Sequence, residues 1–170
     1  FSNYGSLLRN QGKFKKAELY LRKAIKVKPD FAEAHSNLGV LLRDIGKLKE
    51  AEISQRKAIE INSDFADAYS NLGNVLTDLG QFEKAIIALY KAIEIKPNSP
   101  EAFSNLGNSL IYLGKLNEAE KSLNKAIKLK PDYSKAYLKL SFIKLLKGDY
   151  ESGLEYYEYR FSSKEHIIFH

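Results

Sequence analysis

Residues 30–61, DFAEAHSNLGVLLRDIGKLKEAEISQRKAIEI, hold two amphipathic stretches and the turn between them. Leu38, Leu41, Leu42 and Ile45 recur at three- and four-residue spacing, the pattern of a helix with one buried face. Asp30, with Glu33 three residues on, is a capping-box variant and predicts the start of that helix. Gly46 suits the left-handed backbone that ends a helix. A second stripe then runs from Leu48 through Ala51, Ala58, Ile59 and Ile61, so the stretch predicts an antiparallel pair, helix A followed by helix B.

The pair is one copy of a repeat. Gly5, Gly39, Gly73 and Gly107 are 34 residues apart, and the same step links Gly12, Gly46, Gly80, Gly114 and Gly148. It also links Ala17, Ala51, Ala85 and Ala119, and Ala24, Ala58, Ala92 and Ala126; Pro29, Pro97 and Pro131 share it, with Ser63 in the remaining place. Asn98 with Glu101 repeats the capping pattern, and Pro100 falls where the first turn of a helix tolerates proline. Glycine inside a helix costs about 0.5–1 kcal/mol relative to alanine, so four at one register predict close helix approach. Single helices of this length are marginal in water, and stability is expected from stacking neighbouring pairs.

Several positions cooperate in each unit: Tyr69, Leu72, Gly73, Ala85, Ala92 and Pro97, then Phe103, Leu106, Gly107, Ala119, Ala126 and Pro131. This pattern resembles the tetratricopeptide repeat family. The resemblance implies an all-α, right-handed superhelical solenoid of five antiparallel helix pairs, approximately 1–30, 31–64, 65–98, 99–132 and 133–160, with 161–170 as a tail or the start of a further segment. Two departures fall in the second unit: His35 holds the usual aromatic position, and Gln55 replaces the bulky residue seen as Leu21, Leu89 and Leu123.

The resemblance further implies that the A helices form the concave wall. On this sequence that wall would carry Asn3, Asn37, Asn71 and Asn105, with Asn74 and Asn108 one turn further on and Ser36, Ser70 and Ser104 beside them. The series is similar to the asparagine ladder in the tetratricopeptide arrays of O-linked N-acetylglucosamine transferases, which grip substrate backbones. A carboxamide both donates and accepts, so it can satisfy a peptide group of a bound chain; each bond contributes only about 0.5–1.5 kcal/mol, so side-chain anchors are needed as well. Arg9, Arg43, Asp44 and Asp78 are the polar candidates near the first units. Ile111, Tyr112, Leu138, Phe142, Leu145 and Leu146 are the apolar candidates near the last. A solvated inner surface inherited with the repeat is the plainer alternative for the asparagines, and cover by the tail or a further domain is the plainer one for the apolar set. Ser36, Ser70 and Ser104 stand where the family's chaperone-tail receptors carry a first clamp lysine, so chaperone-tail binding is not expected.

Bulk properties narrow the function classes. The 170 residues include no cysteine, which removes disulfides, thiolate metal sites and cysteine nucleophiles, and no apolar run of membrane-spanning length. No signal-peptide pattern is visible; the compartment stays open, with the cytoplasm favoured. Methionine is absent even at position 1, which reads as a piece of a longer or processed chain, and Phe1 begins a helix A without its opening turn. A net charge of +6 raises nucleic acid as a partner. Lys15, Lys16, Lys23, Lys49, Lys57, Lys121 and Lys125 fall on B helices, however, whereas Glu33, Asp67 and Glu101 edge the groove. Glu18 with Arg22 and Glu52 with Arg56 are helix-stabilising pairs. His166 and His170 share a helical spacing without a third ligand or a general base, and no phosphate loop or nucleophile-base pair is present, so neither metal, cofactor nor catalysis is expected.

At the end of the array Ser141, Lys144, Gly153 and Arg160 replace the Gly, Leu, Ala and Ala of earlier units, and Arg160 would close the regular stack. With Gly148, Asp149, Tyr150 and the run Tyr156, Tyr157, Glu158 and Tyr159, the last unit looks like the closing repeat of bacterial tetratricopeptide proteins. The expected function is a protein interaction scaffold that holds an extended polypeptide in the concave groove, with no nucleic acid or membrane partner. The alternatives are the substrate-recognition part of a larger enzyme, such as a glycosyltransferase-like protein, and a module that self-associates end to end.

Overall fold

The structure, a computed structural model, describes residues 1–159; the expectations for Arg160, for the tail 161–170 and for the His166/His170 pair lie outside them. The described residues form ten helices: α1 (Ser2–Asn10), α2 (Phe14–Val27), α3 (Ala32–Asp44), α4 (Leu48–Ile61), α5 (Ala66–Asp78), α6 (Phe82–Ile95), α7 (Pro100–Tyr112), α8 (Leu116–Leu129), α9 (Ser134–Leu146) and α10 (Tyr150–Glu158). The fold is an all-α helical-repeat solenoid. The chain divides into two compact units, Phe1–Ile95 and Lys96–His170.

In the first unit α1/α2, α3/α4 and α5/α6 are hairpins; α2 packs on α3, α4 on α5, and α1, α3 and α5 touch side by side. In the second unit α7/α8 and α9/α10 are hairpins, α8 packs on α9, and α7 lies beside α9. Odd-numbered helices are therefore the A helices and even-numbered ones the B helices.

Each A-to-B turn is set by a glycine with positive φ, +77° at Gly46 and within a few degrees of that at Gly12, Gly80, Gly114 and Gly148. An L side chain in that conformation is strained, which is why the turn repeats with the residue. Inside the hairpin the need is space. A Cβ on Gly73 would lie 2.5 Å from Leu89 Cγ, and one on Gly107 would lie 2.7 Å from Leu123 Cγ. Leu21, Leu89 and Leu123 are fully buried against these glycines, and each such leucine contributes about 1.5–3 kcal/mol through burial. Ala17, Ala51, Ala85 and Ala119 are likewise inaccessible at the close crossings.

The second unit of the repeat departs from this rule. Gln55 fills the leucine place, fully buried, with Nε2 donating to the Ser36 carbonyl at 2.9 Å and Oε1 left without a partner. His35 is partly buried, with Nε2 2.9 Å from the Pro29 carbonyl oxygen.

Two expected caps are corrected. Asp30 does not cap α3: the N-cap is Phe31, and no side chain bonds the helix end. At α7 the cap is Ser99, not Asn98; Ser99 Oγ accepts from Ala102 N at 3.2 Å, and Pro100 follows as the first helical residue. The aromatic Phe31, Phe65 and Tyr133 take the same register at α3, α5 and α9, so Ser99 is the member of the series that supplies a hydrogen bond.

Candidate functional site

On the A-helix face of the first unit, Asn3 is exposed while Asn37, Asn71 and Asn74 are partly buried. Two of these amides are tied to the neighbouring hairpin. Asn37 Nδ2 donates to Ser2 Oγ at 3.1 Å, and Asn71 Nδ2 donates to Ser36 Oγ at 3.3 Å. Ser2 and Ser36 are 4% exposed, so both are buried acceptors, and Ser36 does not line the groove as the sequence suggested. Each carboxamide keeps its oxygen and its second N–H for other contacts.

The charged candidates obey the same spacing. Arg9 Nε lies 3.3 Å from Asp44 Oδ2, and Arg43 Nε lies 2.6 Å from Asp78 Oδ2. Arg9, Arg43, Asp44 and Asp78 were expected to be offered to a partner; they pair with each other across adjacent A helices, because a step of one repeat plus one residue brings arginine and carboxylate side by side. About one third of each side chain is exposed, so the pairs are weak and exchangeable.

The A-helix face of the second unit is different in kind. Tyr112, Leu138, Phe142 and Leu146 are 61%, 45%, 51% and 57% exposed, an apolar concentration that normally marks a contact surface. A recess of about 270 Å³ opens among the first three, lined by Asn108, Ile111, Tyr112, Leu138, Lys139 and Phe142. Leu145 is not part of this wall: it turns into the α9/α10 hairpin against Gly153, where a Cβ would lie 2.6 Å from Leu145 Cδ2. Asn105 is partly buried on α7.

Lys139 is the residue the sequence reading missed. It occupies the asparagine register in α9, and its Nζ donates to both the carbonyl oxygen and Oγ of Ser104, each at 3.1 Å. The rung of the last hairpin is thus a cation at the edge of an apolar recess. The 35-residue separation from Ser104, shared by Ser2/Asn37 and Ser36/Asn71, was the available signal.

Behind this wall an ion cluster joins α8, α9 and α10. Glu120 lies 3.0 Å from Lys144 Nζ and 2.6 Å from Lys147 Nζ, and Lys144 reaches Asp149 at 3.5 Å. The hydrogen bond from Lys147, with that from Lys144, holds the Glu120 carboxyl below its ordinary 4.5. Lys144 stands where the earlier hairpins bury Leu42, Leu76 and Leu110, and this cluster is what accommodates it.

The B helices carry the lysines as expected: Lys15, Lys16, Lys23, Lys49, Lys57, Lys121 and Lys125 are all exposed. Arg22 pairs with Glu18 and Arg56 with Glu52, each at 2.8 Å. Among the described residues no group of His, Cys, Asp and Glu is arranged to hold a metal ion, and no helix is long and apolar enough to cross a membrane.

Comparison with known proteins places this geometry. Models of the tetratricopeptide repeat match residues 5–64, 55–87 and 100–133, and a TPR repeat model matches 73–111. No curated protein matches the chain at a significant level. Among solved structures, MamA is 26% identical over 95% of both chains with a TM-score of 0.77. YrrB, described as a TPR protein with an unusual peptide-binding site, is 25% identical over 95% of this chain and 83% of its own, with a TM-score of 0.68. PilF of Pseudomonas aeruginosa, at 24% identity, has a TM-score of 0.85 over 97% of this chain and 75% of its own, a likeness of fold. With repeat models tiling residues 5–133 and this hairpin geometry beneath them, the chain belongs to the tetratricopeptide repeat family.

Proposed function

We propose that this chain is a protein interaction scaffold that holds an extended polypeptide of a partner against its A-helix faces. The observation that carries the proposal is the exposed set Tyr112, Leu138, Phe142 and Leu146, the first three lining a recess together with Lys139 and Asn108. Water-exposed aromatic and aliphatic side chains in one place, with a cation and a carboxamide at the rim, are the composition of a peptide anchor site. In the first unit Asn37 and Asn71, held in orientation by Ser2 and Ser36, would grip backbone amides, with Asn3 and Asn74 beside them. Asn105 and Asn108 would do the same in the second. Arg9, Arg43 and Asp78 would exchange their mutual pairs for charges on the bound chain. The neighbour YrrB, whose peptide-binding site is part of its description, supports this class of partner.

Affinity capture from a cell lysate, with wild type beside Tyr112→Ala/Phe142→Ala, tests the reading. Loss of a partner from the variant with an unchanged melting curve is the expected result. Equal recovery by the two proteins would refute the wall as the anchor.

One observation favours self-assembly as a second reading. Tyr4 and Leu7 are 49% and 51% exposed on α1, whereas their equivalents Leu38, Leu41, Leu72 and Val75 are buried by the preceding hairpin. This face would accept a B helix, whether of a second copy or of a further hairpin of the same protein. Sedimentation velocity over a wide concentration range decides it: a constant monomer value removes the reading.

A further inference from the structure

We propose that the B helices of the first unit form a second docking surface, separate from the A-helix face, for an acidic amphipathic helix of a partner protein. Three large aliphatic side chains stand out on this face at the repeat spacing: Leu19 on α2, Ile53 on α4 and Ile87 on α6, at 64%, 68% and 69% exposure. An isolated exposed aliphatic residue needs no explanation, but one repeated on three successive helices makes a stripe.

Beside the stripe lie two clefts, one repeat apart. The first, about 410 Å³, has Ile25, Leu38 and Ile53 as its apolar lining and Arg22, Lys26 and Lys57 around it. The second, about 540 Å³, has Leu72, Leu76 and Ile87 with Arg56, Lys84 and Lys91. Arg22 and Arg56, Leu38 and Leu72, Ile53 and Ile87, and Lys57 and Lys91 are equivalent pairs, so the surface presents one binding shape twice. In the fourth hairpin the register of Ile53 and Ile87 is taken by Lys121, and the stripe ends.

The chemistry of the rims selects the occupant. Three cations and no carboxylate line the first cleft, and three cations with Glu94 line the second. Arg22 is already engaged with Glu18 and with Glu50 of α4, and Arg56, Lys57 and Lys91 with Glu52, Glu60 and Glu94, but the cations are about half exposed, and such pairs exchange readily for a partner's carboxylate. Apolar floors with basic rims fit a segment that carries aliphatic residues flanked by Asp and Glu. The two clefts flank α4, one shared between α2 and α4 and the other between α4 and α6, so one helix laid across α4 can seat a side chain in each.

The probe is a fluorescein-labelled helical peptide of about five turns, with leucine at i, i+3, i+7 and i+10 and glutamate at most other places. Its anisotropy is followed on titration with the whole chain. The expected results are saturable binding, weakening as salt is raised, and at least a tenfold loss of affinity in Ile53→Gln/Ile87→Gln with an unchanged melting curve. Tyr112→Ala/Phe142→Ala should bind this probe like wild type, so failure of the A-helix proposal and failure of this one are separable. Three results would overturn it: equal binding by the glutamine variant; equal binding of a sister peptide with lysine in place of glutamate; or no saturable binding of the acidic peptide, in which case pelleting on anionic vesicles, or a dimer that the glutamine variant abolishes, would identify another occupant.

Discussion

Asn71 reaches back 35 residues to Ser36, with Nδ2 donating to Oγ at 3.3 Å, and the same reach joins Asn37 to Ser2 at 3.1 Å. The acceptors are buried, so the bonds tie hairpin to hairpin as well as fixing how each carboxamide is presented. The structural role shown by these bonds and the recognition role proposed above therefore fall on the same side chains. Asn37→Ala/Asn71→Ala should lower stability by about 0.5–1.5 kcal/mol per site, because each change leaves a serine hydroxyl short of its partner. Urea denaturation followed by circular dichroism measures this, and binding assays on the variant are meaningful only at temperatures well below its transition.

Much of the fold was legible in the sequence because its determinants are local. A glycine at each positive-φ turn and a glycine opposite each buried leucine repeat with the chain, and both follow from sterics that a single residue decides. The caps were less legible. Asp30 has the right chemistry, yet Phe31 occupies the cap register, so the helix begins after the aromatic residue and no side chain bonds its end. For the candidate site, composition was legible in the sequence but side-chain pairing was not. Arg9 and Asp44, read as anchors for a ligand, find one another once A helices lie side by side, a relation that no single repeat contains. Lys139 escaped notice because it is the one change of residue type in the asparagine register, and Leu145 because helical spacing alone could not say that Gly153 would admit it.

Gln55 predicts a stabilising substitution. Its Oε1 is buried without a partner, a cost of about 1–3 kcal/mol, and only Nε2 is used, on a carbonyl of α3. Leucine occupies the equivalent place at Leu21, Leu89 and Leu123 with the same close glycine opposite. Gln55→Leu should therefore raise stability by about 1 kcal/mol or more. A lower melting temperature in calorimetry would contradict this account of the core.

The pair Arg43–Asp78 bridges α3 and α5 at 2.6 Å with about a third of each side chain in water. A double-mutant cycle of Arg43→Ala and Asp78→Ala should give a coupling of about 0.2–1 kcal/mol that shrinks as salt rises from about 0.1 M to about 1 M. Coupling that ignored salt would mean that packing, not charge, joins the two helices at this point.

Glu120 sets an acid limit on the last hairpins. Hydrogen bonds from Lys147 and Lys144 hold its carboxyl below 4.5, so the folded state favours the ionised form more than the unfolded chain does. For a depressed carboxylate, the linked stability is complete above the unfolded value and is lost as pH falls through the folded one. Lys144, raised by the same contact, stays charged throughout this range and does not alter the sign. Wild type should thus exceed Glu120→Gln in stability near pH 7, with the difference narrowing below about pH 4.5 and vanishing in stronger acid. Urea midpoints of the two proteins across that range provide the measurement, and a constant gap between them would show that the two lysines do not stabilise the charged carboxylate.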